Sequence, residues 1–303
     1  MLSVFNALFP VFLIIALGAV VKRYFVSDDG FWLGVEKVTY FILFPCLLFG
    51  NLALSDFSQF SVGPLVVILG CGQILMAVIT FGLRLPFTLS GPQFTSVFQG
   101  TVRYNSFVAI AAAQSLFGQT GLALAAIGIA VMVPLANILS VYVLAQFASD
   151  RPASLVNLAK TMGRNPLILS CVAGVAFNVL AVPIPAALAN TLGILGGATL
   201  TLGLLAVGAG LVFANMATHR TLIMVTTAFK LLLMPALVFA LGRYFDIHGT
   251  ELAVAMICAA VPSATSSYIL AKQLGGDAPL MASLITAGTV VALVTMPAIL
   301  MFL

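Results

Sequence analysis

The stretch QGTVRYNSFVAI, residues 99–110, sets Gln99, Arg103, Tyr104, Asn105 and Ser106 close together half-way along an apolar run. What surrounds such a cluster decides how it is read. Of 303 residues, 62% are hydrophobic and 7% charged, against about 25% charged in a soluble domain. A chain of this length has too little interior to hide so much apolar surface, so the solvent for most of it is lipid. The polar cluster therefore lies inside a membrane-spanning segment, where polar groups are costly and by default functional.

The net charge of +4 is spread over Lys and Arg at the ends of apolar runs. It forms no basic face and accompanies no recognition motif, which excludes a nucleic-acid partner. Cys46, Cys71, Cys171 and Cys258 each sit in an apolar run without Cys-x-x-Cys spacing or a nearby His. They are expected to be free, buried thiols, neither disulfides nor metal ligands. The apolar N-terminus lacks a basic leader region. Its run from Leu2 to Val21 is long enough to span a bilayer, so it is expected to be a retained first helix.

About 20 apolar residues cross the hydrocarbon core as a helix. Cutting at charges, Gly, Pro and Asp predicts an all-α polytopic membrane protein with ten spans: 2–22, 31–54, 61–83, 94–117, 121–147, 160–180, 186–213, 220–243, 250–272 and 279–302. The seventh contains GGATLTLGLLAVGAG (196–210), whose glycines predict a bend. Lys22, Arg23, Arg84, Arg151, Lys160, Arg164, Arg220 and Lys272 fall in the odd-numbered loops, and Arg243 alone falls on the opposite side. The excess places the odd loops in the cytoplasm and both termini outside.

The chain also resembles itself. ALFPVFLIIALGAV (7–20) aligns with GRNPLILSCVAGVA (163–176), pairing Pro10 with Pro166 and Gly18 with Gly174. QSLFGQTGLALAAI (114–127) aligns with KQLGGDAPLMASLI (272–285) at nearly the same offset. Two units follow, 1–150 and 151–303, with five spans each. An odd number of spans inserts the second unit upside down, the build of secondary transporters whose sites lie where inverted repeats meet.

At an offset of 158, VRYNSF (102–107) falls on AVPSAT (260–265), so Asn105 meets Ser263 and Tyr104 meets Pro262. Both stretches disfavour a continuous helix. Proline removes a donor and clashes with the preceding turn, and Ser, Thr and Asn side chains bond nearby backbone groups. A break cannot face lipid, because its freed N–H and C=O groups would have no partner. The fourth and ninth spans are thus expected to be broken and to meet at mid-membrane. Each break opens a new half-helix with a partially positive N-terminus, together an anion-seeking site. Asn105, Ser106, Pro262, Ser263 and Thr265 are its candidate residues.

Over all ten spans the chain resembles the auxin efflux carrier family, membrane transport proteins that include plant auxin exporters and bacterial malonate or malate permeases. FPCLLF (44–49), RNPLIL (164–169), KLLLMPALV (230–238) and, most specifically, AVPSATSSYILAKQLGGDAPLMASLITAGTVV (260–291) carry the resemblance. It implies two inverted five-helix repeats with crossing helices four and nine, a small carboxylate near the crossing, elevator-type alternation and a homodimer. It also implies that Asn137 in the fifth helix lines the pocket, and that Pro45 and the pair Thr199/Thr201 flank the crossing. Plant members usually mark both crossing helices with Pro. Here Asn105-Ser106 stands in the fourth span, so a milder break is expected. The short 148–159 link replaces the long hydrophilic loop of many plant exporters.

Arg103 and Lys230 are intramembrane cations. Arg103 either pairs with Glu36, which enters the second span from the same side, or recognises substrate. Lys230 is expected to snorkel to the cytoplasmic surface in a structural role. Every other acidic residue falls at or near a loop, which disfavours cation transport and favours a small anion. Other intramembrane polar residues, Gln73 and Ser266 among them, are read as interhelical glue. The primary reading is a secondary transporter for a small mono- or dicarboxylate in a bacterial inner membrane. The alternative is a sodium-coupled organic-anion symporter of the bile-acid type, which Gln99, Gln114 and Gln273 leave open. No cofactor is expected, and coupling to H+ or Na+ stays open. An enzyme is disfavoured because His219 and His248 both lie at loops.

Overall fold

A computed structural model describes residues 2–55, 62–148, 163–213, 216 and 218–301. Asp56, Asp150, Arg151 and Lys160, and the first residues of the third and sixth expected spans, lie outside these. Every regular element among the described residues is helical, as hydrocarbon requires when each backbone group must find its partner within the segment. The helices are α1 (Leu2–Tyr24), α2 (Asp29–Leu54), α3 (Val62–Gly82), the short α4 (Arg84–Phe87), α5 (Gly91–Val102), α6 (Ser106–Phe147), α7 (Pro166–Val179), α8 (Ala186–Ala209), α9 (Arg220–Tyr244), α10 (Gly249–Ala260), α11 (Ser266–Leu274) and α12 (Ala278–Leu300).

Seven stretches among the described residues are long and apolar enough to cross a membrane. One of them, Gly91–Phe147, has 57 residues. A straight helix of that length would be about 85 Å long, far more than a bilayer core of about 30 Å. The chain leaves the helix between Val102 and Ser106, and α6 turns sharply at Gly118 (φ 59°, ψ −141°). Only glycine adopts that backbone without strain. The α7 and α10 helices are shorter, and α10 is followed after five residues by α11. The α8 helix ends at Ala209, short of the expected 213, and is continuous through its glycines. Its glycines serve packing: a Cβ on Gly208 would lie 1.8 Å from the Ile15 carbonyl oxygen, and one on Gly18 would lie 2.1 Å from that of Leu205. The α1 and α8 backbones therefore touch.

Several features recur at the offset seen in the sequence. The α5 and α10 helices have twelve residues each and begin 158 residues apart. Both give way to extended backbone, at Arg103 (φ −78°, ψ 157°) and Val261 (φ −72°, ψ 152°). A positive-φ glycine then follows in each half, Gly118 and Gly275. The packing of α1 on α8 is mirrored by α7 on α2, where a Cβ on Gly174 would lie 3.1 Å from the Phe49 carbonyl oxygen.

Wider π-helical turns occupy Thr39–Leu43 in α2 and Phe229–Leu233 in α9, each just ahead of a proline, Pro45 and Pro235. Proline cannot donate to the fourth carbonyl behind it, and its ring displaces that carbonyl. The chain takes a bond one residue longer instead, from Phe44 N to Thr39 O and from Met234 N to Phe229 O. Phe44 stacks on Phe107 with ring centroids 4.9 Å apart, tying α2 to the first turn of α6. All four cysteines are free. Contrary to expectation only Cys171 and Cys258 are buried, while Cys46 is half-buried and Cys71 exposed. A thiol is apolar enough to face lipid without a partner.

Candidate functional site

The interruption after α5 is built by Asn105. Its Oδ1 accepts from the backbone N–H groups of Phe107 (3.1 Å) and Val108 (3.2 Å), which caps α6. The interruption after α10 is built by Pro262, which restricts Val261 to extended backbone. The two meet directly: the Asn105 N–H donates to the Pro262 carbonyl at 2.8 Å. Ser263 Oγ donates to the Gln99 carbonyl at 3.3 Å, across the same junction. Gln73 Nε2 donates to the last carbonyl of α5, that of Val102, at 3.0 Å and to that of Met132 at 3.2 Å. Backbone groups freed by the interruptions are thus shared between them or met by buried side chains.

Arg103 sits in the first interruption, 9% exposed. It donates from Nη1 to Asn137 Oδ1 at 2.9 Å and from Nη2 to Ser266 Oγ at 3.0 Å. Arg103 forms no ion pair with Glu36, whereas Lys22 and Asp29 pair at 2.7 Å. Glu36 instead faces Thr265. Arg103, Asn137 and Ser266 come from the first interruption, the middle of α6 and the start of α11, which makes the cluster a meeting point of segments far apart in the chain. Its two protein partners are neutral, so its charge stays uncompensated there. What this arrangement can do chemically is hold an anion: the Arg103 Nε has no hydrogen-bond partner, and neither does Asn105 Nδ2.

The model of one family, described as membrane transport protein, matches residues 3–300. The chain belongs to this family. The match spans nearly the whole chain and is the auxin efflux carrier family that the sequence resembles. No curated protein matches the chain. This membrane transport protein is therefore an integral membrane transporter, in keeping with its apolar helices.

The transporter's other expected residues are placed unevenly. Ser106 is half-buried as the first residue of α6. Pro45 is half-buried next to Phe44, on the π-turn of α2. Thr201 lies on the exposed side of α8, while Thr199 is buried and donates to the Leu195 carbonyl. Residues two apart on a helix point to opposite sides, so Thr199 and Thr201 do not face the same way. The half-helix termini also differ from expectation. Asn105 itself occupies two of the first N–H groups of α6, leaving fewer donors for a ligand.

Lys230 departs most from its sequence reading. It does not snorkel. It is 1% exposed, its ammonium has no hydrogen-bond partner, and it lines a small chamber with Gly100, Thr226, Thr227, Ser263, Leu284 and Gly288. The reason is rotation of α9 about its axis: Lys230 lies one turn beyond the buried Thr226 and so shares the inner face of the helix with it, away from the surface. Hydropathy cannot reveal that rotation. Ser266, read as interhelical glue, does bond across segments, and its partner is Arg103. A large cleft opens elsewhere, between the second part of α2, the turn of α6 and α8, and Cys46, Asn51, Ser55, Gln114, Gln119 and Thr120 contribute to its wall. None of the expected site residues lines it; the nearest in sequence is Pro45, beside Cys46.

Proposed function

We propose that this membrane transport protein carries a small organic anion, a mono- or dicarboxylate, bound at the junction of the two interruptions. One observation carries the reading: Arg103 is buried beside the Asn105–Pro262 contact, and its protein partners Asn137 and Ser266 are both neutral. A buried cation without an acidic partner is costly unless an anion joins it. A carboxylate can take the planar fork of the guanidinium, with Asn105 Nδ2 as a neighbouring donor.

Ten spans in two inverted repeats, with the fourth and ninth broken and crossing, form the scaffold of this reading. The recurrence of twelve-residue helices and extended interruptions at an offset of 158, and of positive-φ glycines at 157, supports it. So does the reciprocal packing of α1 on α8 and α7 on α2. The first unit is 1–150 and the second 151–303. With both termini outside, the cleft beside Cys46 opens to the outer side, and elevator-type movement of the junction would expose it to each side in turn. A bacterial inner membrane, a malonate- or malate-like substrate and a homodimer rest on the family resemblance.

The test is thermal stabilisation of the purified protein by a panel of small mono- and dicarboxylates, followed by uptake of the best stabiliser into vesicles with and without a sodium gradient. Saturable stabilisation that Arg103→Gln abolishes is expected. Stabilisation by none of the carboxylates would overturn the reading. Uptake that requires sodium would replace it with the sodium-coupled alternative.

A further inference from the structure

The chamber around Lys230 is separate from the Arg103 cluster, and the carboxylate reading makes no use of it. Three features of it stand out together. The Lys230 ammonium is fully enclosed and has no hydrogen-bond partner, and no lining residue is acidic. Its threonines are atypical. Other buried helical threonines in this protein donate back to the preceding turn, Thr80 to the Met76 carbonyl at 2.7 Å, Thr286 to Ala282 at 2.9 Å and Thr289 to Ile285 at 2.8 Å. Thr226 and Thr227 do not: both hydroxyls are buried and unpartnered on the chamber wall. Finally, Thr226 and Lys230 are four residues apart, one helical turn, so their polar groups share one face of α9.

An ammonium and two free hydroxyls lining a small space without a carboxylate form a cage whose side chains can all donate and which holds no charged acceptor. Such a cage suits a compact anion, and its size excludes a bulky one. We propose that Lys230, Thr226 and Thr227 bind a halide ion, physiologically chloride. The ion compensates the buried ammonium, and because Ser263 and Gly100 complete the wall, it braces the second interruption against α5. The site is distinct from the carboxylate site, so chloride acts here as a structural or regulatory ligand. Among the groups facing Lys230, Cys258 on α10 is the titratable one; α5 contributes Gly100 and α12 contributes Leu284 and Gly288, all uncharged.

The full-length purified protein tests this. Its melting temperature is measured in sodium chloride and in sodium gluconate at equal ionic strength, and crystals grown in sodium bromide are examined by anomalous scattering. Expected are a saturable upward shift with chloride and a bromide peak within hydrogen-bond reach of Lys230 Nζ. Lys230→Met should abolish both. If that variant does not fold, Thr226→Val/Thr227→Val should weaken the apparent chloride affinity at least tenfold. Equal melting in chloride and gluconate, a bromide peak absent from the chamber, or unchanged chloride affinity in the double threonine variant would each overturn the proposal. Arg103→Gln separates the two readings: it should lose the carboxylate response and keep the chloride response.

Discussion

Arg103 offers the sharpest test of the junction. Its guanidinium donates to Asn137 Oδ1 at 2.9 Å and to Ser266 Oγ at 3.0 Å, and its Nε has no protein partner. Arg103→Gln removes the charge that a carboxylate would meet. A hydrogen bond to a charged group contributes about 1.5–3 kcal/mol, which is roughly 10- to 150-fold in affinity. Arg103→Lys keeps the charge but replaces a rigid fork by a single point, so part of the affinity should remain. Glu36 is the control. Because it faces Thr265 and is not ion-paired with Arg103, Glu36→Gln should not rescue Arg103→Gln, and the two effects should combine independently. The assay is a carboxylate titration followed by thermal stabilisation, with vesicle transport as the second readout. Rescue of Arg103→Gln by Glu36→Gln would refute the reasoning, since only a buried carboxylate stranded by loss of its partner would be relieved in that way.

Asn105→Ala should lower the melting temperature as well as affinity, because it uncaps two N–H groups of α6; loss of such a cap costs about 1–2 kcal/mol, and Asn105→Asp should recover most of the stability while weakening anion binding by charge repulsion. Gly208→Ala places a methyl group against the Ile15 carbonyl oxygen and should separate α1 from α8, read as a large loss of thermal stability, whereas a parent-like melt would show that these helices do not pack so closely. Lys22→Ala, which removes an exposed pair with Asp29, should change stability by less than about 1 kcal/mol. A membrane-impermeant thiol reagent applied from outside should modify Cys46 in the cleft and spare Cys171 and Cys258; protection of Cys46 would argue against an outward opening.

The sequence alone determined the solvent and the local breaks. Composition required lipid, long continuous apolar runs required helices and not barrel strands, and residues such as Pro262 and Asn105 marked where a helix could not continue. These are local properties, set by a few neighbouring residues and the medium, and the family match extends over the same ground. Which side chains meet was decided only in three dimensions. Arg103 finds Asn137 and Ser266 and not Glu36, Thr201 turns away where its neighbour Thr199 turns in, and Lys230 is drawn inward. Each outcome depends on how far a helix is rotated about its axis and on which helix abuts it. Each residue along a helix turns about 100°, and a single π-turn shifts the register of everything beyond it, so depth in the membrane can be estimated from a sequence while facing cannot. The same limit explains why the chamber around Lys230 was not legible: its walls come from α5, α9, the second interruption and α12, and only tertiary packing brings those segments to one point.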